Sequence, residues 1–85
     1  MIKRDVEIQL ENGLEARPVA MLVQLASQFE SEIHIESVDR KVNAKSIMGM
    51  MTLGLGNGEM VAVYANGGDE EKAIEGIANY LASQK

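Results

Sequence analysis

Val6-Glu7-Ile8-Gln9-Leu10 runs into Asn12-Gly13 and then into Ala16-Arg17-Pro18-Val19, and across these residues the hydrophobic period changes. Before the turn, apolar and polar side chains alternate, the mark of a strand with one buried face. After it, Val19, Leu22, Val23, Ala26 and Phe29 recur at three- and four-residue spacing, which gives a helix one apolar stripe. Pro18 suits the first helical turn, where its missing N–H removes no hydrogen bond. The spacing predicts a helix over about residues 16–28.

Downstream the two periods keep exchanging. Glu32-Ile33-His34-Ile35-Glu36 alternates, Val38-Asp39-Arg40 turns, and Lys41-Val42-Asn43-Ala44 completes a hairpin signature. A short helix is expected from Ser46, over Ile47 to about Leu53, weakened by Gly49, Gly54 and Gly56. Asn57-Gly58 turns the chain into the strand Met60-Val61-Ala62-Val63-Tyr64-Ala65, which Asn66-Gly67-Gly68 ends. Asp69 is then expected to cap a last helix, with Glu70 and Glu71 in its first turn. Ala73, Ile74, Ile77, Ala78 and Leu81 form that helix's apolar stripe. The order is βαββαβα: one α+β domain over residues 1–85, with helices on one face of an antiparallel sheet.

Composition narrows the chemistry. Eighty-five residues suffice for one modest core. No apolar run approaches the roughly 20 residues a membrane helix needs, and Met1-Ile2-Lys3-Arg4-Asp5 leads straight into strand-like sequence. A secreted or membrane-inserted product is not expected. The absence of cysteine removes disulfides, thiolate metal sites and cysteine nucleophiles, and fits a reducing cytoplasm. The net charge of −5 argues against direct nucleic-acid binding, which needs a basic surface. His34, the single histidine, lies on the polar side of its strand and is expected to face solvent. One histidine cannot supply a catalytic triad, a two-histidine metal site or an HExxH pattern. No metal or cofactor is expected. Gly54, Gly56 and Gly58 lack the GxxxxGKS/T pattern of a phosphate-cradling loop and read as a pliable connection.

Two segments carry functional signals. Gly13-Leu14-Glu15-Ala16-Arg17-Pro18 places a carboxylate ahead of a helix start, and Lys45-Ser46-Ile47-Met48-Gly49 places a hydroxyl ahead of another. Helix N-termini carry unpaired N–H groups and roughly half a positive charge, so both are seats for an anion. In the second helix, Met50 and Leu53 are expected to be buried. Ile47, Met48 and Met51 are left as an exposed apolar patch beside Ser46, of the adaptable kind methionine provides.

Ala16-Arg17-Pro18 and Lys45-Ser46-Ile47-Met48-Gly49, in this order and over this length, resemble the HPr phosphocarrier family of bacterial sugar uptake. The resemblance covers essentially the whole chain. It implies an HPr-like open-faced sandwich, with a four-stranded antiparallel sheet and three helices on one face. In that family the position of Glu15 normally holds a phosphorylated histidine. Its absence, with the serine kept, resembles the Crh (catabolite repression HPr) branch, where glutamine is the more usual replacement. For this chain the resemblance implies a cytoplasmic, non-enzymatic regulator. Ser46 would be phosphorylated by HPr kinase/phosphorylase, and the product would bind catabolite control protein A, a LacI-type regulator. Arg17, Ile47, Met48 and Met51 would form the docking surface. A homodimer is compatible with it. The alternative is a phosphocarrier of the phosphoenolpyruvate-dependent sugar phosphotransferase system with Glu15 in place of histidine.

Each key residue also has a plain reading. Glu15 can simply complement the helix dipole, a contribution of about 0.3–1 kcal/mol. It can also pair with Arg17 as a permanent anion. A carboxylate is a poor substitute for imidazole in a relay, because it repels an incoming phosphoryl group and forms a different bond. Ser46 can be no more than an N-cap. The two readings of Ser46 are compatible, since a phosphate adds about −1.5 to −2 charges where free N–H groups accept them.

Overall fold

In a computed structural model of the chain, which describes residues 1–10, 16–38, 40–54 and 56–82, four strands and three helices alternate as the periods require. They are β1 (Ile2–Glu7), α1 (Ala16–Ser27), β2 (Glu32–Glu36), β3 (Lys41–Asn43), α2 (Ile47–Met51), β4 (Met60–Asn66) and α3 (Glu70–Leu81). The sheet order is β1-β4-β2-β3 and every pairing is antiparallel. Its centre is fixed by two registers, Val6 opposite Val61 and Ile35 opposite Val63.

Because strand side chains alternate, those registers put Val6, Ile33, Ile35, Val61, Val63 and Ala65 on one buried face. Onto it pack the stripes of α1 (Val19, Leu22, Val23, Ala26) and α3 (Ala73, Ile74, Ile77, Ala78, Leu81). The opposite face is open and polar. There Tyr64 Oη donates to Glu36 Oε1 at 2.6 Å, and the Lys41 ammonium lies 4.3 Å from the Tyr64 ring centroid. That carboxylate contact raises the Tyr64 hydroxyl above its ordinary value. His34 stands opposite Tyr64 on β2 and is half-buried.

Two local expectations are corrected. The first strand was expected over Val6–Leu10, yet the regular ladder spans Ile2–Glu7. The burial alternation does continue through Ile8 and Leu10. Past Glu7, however, Ile8 accepts from Gly58 N–H at 2.7 Å and Gln9 N–H donates to the carbonyl of Leu81 at the end of α3. Ile8 N–H also donates to the Glu59 carbonyl at 2.8 Å, so one residue there faces two and the regular register ends, while the Gln9 bond leaves the sheet for α3. Gly58 meets Ile8 with φ +95°, a region side chains disfavour, which is why the Asn57-Gly58 turn carries glycine there.

The second correction concerns Asp69. It occupies the N-cap of α3, but its carboxylate makes no cap bond. It reaches instead to the α1–β2 connection, accepting from Glu30 N–H at 2.9 Å and Ser31 N–H at 3.0 Å. Ser31 Oγ, buried, donates to the same carboxylate. These bonds hold the Asp69 carboxyl below its ordinary value, the Ser31 hydroxyl contributing most. Glu70 takes over the local role and accepts from Gly67 N–H at 3.0 Å. It also meets the N-terminal ammonium at 3.3 Å.

Candidate functional site: Ser46 and the surface of α2

The site is built on a turn and a short helix. β3 ends at Asn43, whose carbonyl accepts from Ser46 N–H at 3.0 Å and whose Oδ1 accepts from Lys45 N–H at 2.8 Å. Ala44 N–H donates to Ile33 on β2 at 2.8 Å, tying the turn to the sheet. Ser46 follows with extended backbone (φ −110°, ψ 114°), the usual geometry of an N-cap. Its Oγ accepts from Gly49 N–H at 3.2 Å. The other end of α2 closes at Thr52, whose Oγ1 donates to Gly49 O at 2.6 Å.

A five-residue helix can bury one side only. Met50 has no exposed surface and Leu53 is half-buried against the core, the side expected from sequence. Ile47, Met48 and Met51 are 49%, 82% and 52% exposed. Ser46, half-buried, sits at the start of this apolar surface, so its hydroxyl and three large hydrophobic side chains lie on one short segment. The helix is held from beneath by Met50 and against α1, so its exposed side is presented on a fixed base.

Arg17 is exposed in the first turn of α1, the helix that packs against α2. Among the described residues no hydrogen bond or ion pair joins it to Ser46 or to the methionines. Glu15 lies outside the described residues, as does any pairing between it and Arg17. Lys45 is the contact that sequence reading missed. It stood there only as part of a motif, yet its ammonium donates to the carbonyl of Phe29, just beyond α1, at 2.7 Å. Only the tertiary approach of the α1 end to the β3–α2 turn creates that bond. Sixteen residues separate the partners, and no local pattern signals it.

The arrangement offers a hydroxyl with one hydrogen bond, fixed backbone on either side, and an apolar surface alongside. No group of three or more acidic or histidine side chains that could hold a metal occurs among the described residues. No described helix is long and apolar enough to cross a membrane.

Comparison with known proteins matches this arrangement to one family. The family model for the PTS HPr component phosphorylation site matches residues 2–83. The HPr-like protein Crh of Halalkalibacterium halodurans is 44% identical over 84 residues, covering 99% of this chain and 100% of that protein. The HPr-like protein Crh of Bacillus subtilis is also 44% identical, covering 99% of each. Among solved structures, the phosphocarrier protein HPr of Bacillus anthracis superposes with a TM-score of 0.92 at 45% identity, over 94% of this chain and 95% of that one. Crystalline Crh of Bacillus subtilis, a dimer with a swapped domain, gives 0.79 at 44% identity over 100% and 98%. The open-faced sandwich and the resemblance carried by Ala16–Pro18 and Lys45–Gly49 are thereby borne out.

Proposed function

The chain belongs to the PTS HPr family, and on that premise we propose that it is a non-enzymatic, Crh-like regulator of carbon catabolite repression acting in the cytoplasm. Ser46 is its phosphoacceptor, modified by an HPr kinase/phosphorylase with ATP. The phosphorylated surface of Ser46, Ile47, Met48, Met51 and Arg17 is bound by catabolite control protein A. The observation that carries this reading is the placement of Ser46 Oγ. It caps α2 through Gly49 N–H and sits at the head of an exposed apolar surface with a buried anchor, Met50.

Physical chemistry supports the sequence of events. Phosphoryl transfer to Oγ leaves oxygens able to accept from Gly49 N–H, so the cap survives modification and the fold need not rearrange. The surface changes instead: about −1.5 to −2 charges appear beside three hydrophobic side chains. A partner that reads both a phosphate and an apolar patch can then separate the two states, the charge through its arginines and the patch through buried contact. Glu15 in place of histidine supports regulation over relay, because a carboxylate does not form the phosphoramidate that a relay passes on.

The test is phosphorylation with two donors. With ATP and HPr kinase/phosphorylase, one phosphate is expected, mapped to Ser46. With phosphoenolpyruvate and the general phosphotransferase enzyme, none is expected. Phosphate on Glu15 or no phosphate on Ser46 would overturn the reading.

A further inference from the structure

The carbonyl of Phe29 and the N–H of Glu30 belong to one peptide group, and that group is gripped at both ends by opposite charges. Lys45 Nζ donates to the carbonyl at 2.7 Å, and Asp69 Oδ2 accepts from the N–H at 2.9 Å. Lys45 stands at the entry to α2 and Asp69 at the N-cap of α3. An ammonium on the oxygen draws electron density toward it and makes the N–H a better donor. A carboxylate on the N–H does the converse. Hydrogen bonds in such a chain polarise one another, so each charge strengthens the other's bond.

Both ends are well anchored. Asp69 accepts two further bonds from Ser31, through its N–H and its buried Oγ. Lys45 is held at its backbone as well, where its N–H donates to Asn43 Oδ1 at 2.8 Å. Residue 45 is thus fixed at backbone nitrogen and side-chain tip together, and the next residue is Ser46. The geometry points to Lys45 and Asp69 as positioning residues for Ser46, acting as one unit through the Phe29–Glu30 peptide. This rests on the reading of Ser46 as the modified serine. The ammonium fixes the turn from which Ser46 departs, and Asp69 fixes the carbonyl on which the ammonium rests. Neither touches the transferred phosphate.

The role separates from plain stabilisation by where the effect is read. The chain and its Lys45→Met, Lys45→Arg and Asp69→Asn variants, with the Lys45→Met/Asp69→Asn pair, are phosphorylated by HPr kinase/phosphorylase at a temperature where all remain folded. Each of Lys45→Met and Asp69→Asn is expected to lower kcat/KM at Ser46 about tenfold, through kcat more than KM because the docking surface is unaltered. Lys45→Arg is expected to recover most of the loss. The double variant is expected to be no worse than the weaker single one, since the pair acts as a unit. Hydrogen exchange reads the geometry without any kinase: Gly49 N–H, which rests on Ser46 Oγ, is expected to exchange about fivefold faster in both single variants. Unaltered phosphorylation of Asp69→Asn, multiplicative losses in the double variant, or unchanged Gly49 exchange would each overturn the proposal. Failure of the unsubstituted chain to accept phosphate at Ser46 would overturn the functional reading instead, and Gly49 exchange would then decide the positioning.

Discussion

Gly67 approaches Ser31 so closely that a Cβ on Gly67 would come within 2.7 Å of both Cα and Oγ of Ser31. The β4–α3 and α1–β2 connections are therefore in contact at backbone level, and Asp69 reaches Ser31 across the gap.

Gly67→Ala is expected to destabilise the fold by about 1–3 kcal/mol, because backbone on one side and a hydrogen-bonded hydroxyl on the other leave the methyl no room. Urea denaturation measures it. A variant as stable as the parent would show that the connections part without cost.

Two methionines of α2, Met50 and Met48, are expected to separate cleanly. Met50→Ala removes a side chain with no exposed surface and is expected to cost about 2–5 kcal/mol of folding stability. Met48→Ala, at 82% exposure, is expected to stay within about 0.5 kcal/mol of the parent. Its effect belongs in partner binding, which calorimetry with the phosphorylated chain is expected to show weakened about fivefold or more.

Acid is expected to loosen the same connections. Asp69 lies below its ordinary value of 3.8, chiefly through the Ser31 hydroxyl, and Glu70 below 4.5, chiefly through Gly67 N–H. A depressed carboxyl contributes stability that is fully present above its unfolded value and is lost as pH falls through its folded value. The thermal midpoint is therefore expected to be level with respect to these groups above about pH 5.5, and to fall as pH drops below 4.5. Asp69→Asn is expected to lower the midpoint at neutral pH and to flatten the acid limb. A variant with the parent's acid limb would remove Asp69 from the account.

These residues also mark how far the sequence could be read. The stripe of α1 and the burial of Met50 were legible because a helix of known period must turn one side inward. The start of β1 was not, because Lys3, Arg4 and Asp5 break the alternation. They are tolerated there because β1 is an edge strand and these three side chains remain exposed. Asp69 carried every local sign of a helix cap, and its carboxylate went elsewhere because Glu30 and Ser31 converge on it only after folding. For the site, Ser46 and its apolar neighbours were legible from their motif and from the shortness of α2. The grip of Lys45 on Phe29 was not, since it depends on two segments far apart in the chain.

Phosphate on Ser46 is expected to change what the surface of α2 binds. Titrating catabolite control protein A with the chain, before and after stoichiometric phosphorylation of Ser46, measures this directly. At least a tenfold gain in affinity on phosphorylation is expected, about 1.4 kcal/mol, with the gain absent in Ser46→Ala. Equal affinity of the two forms would contradict the account.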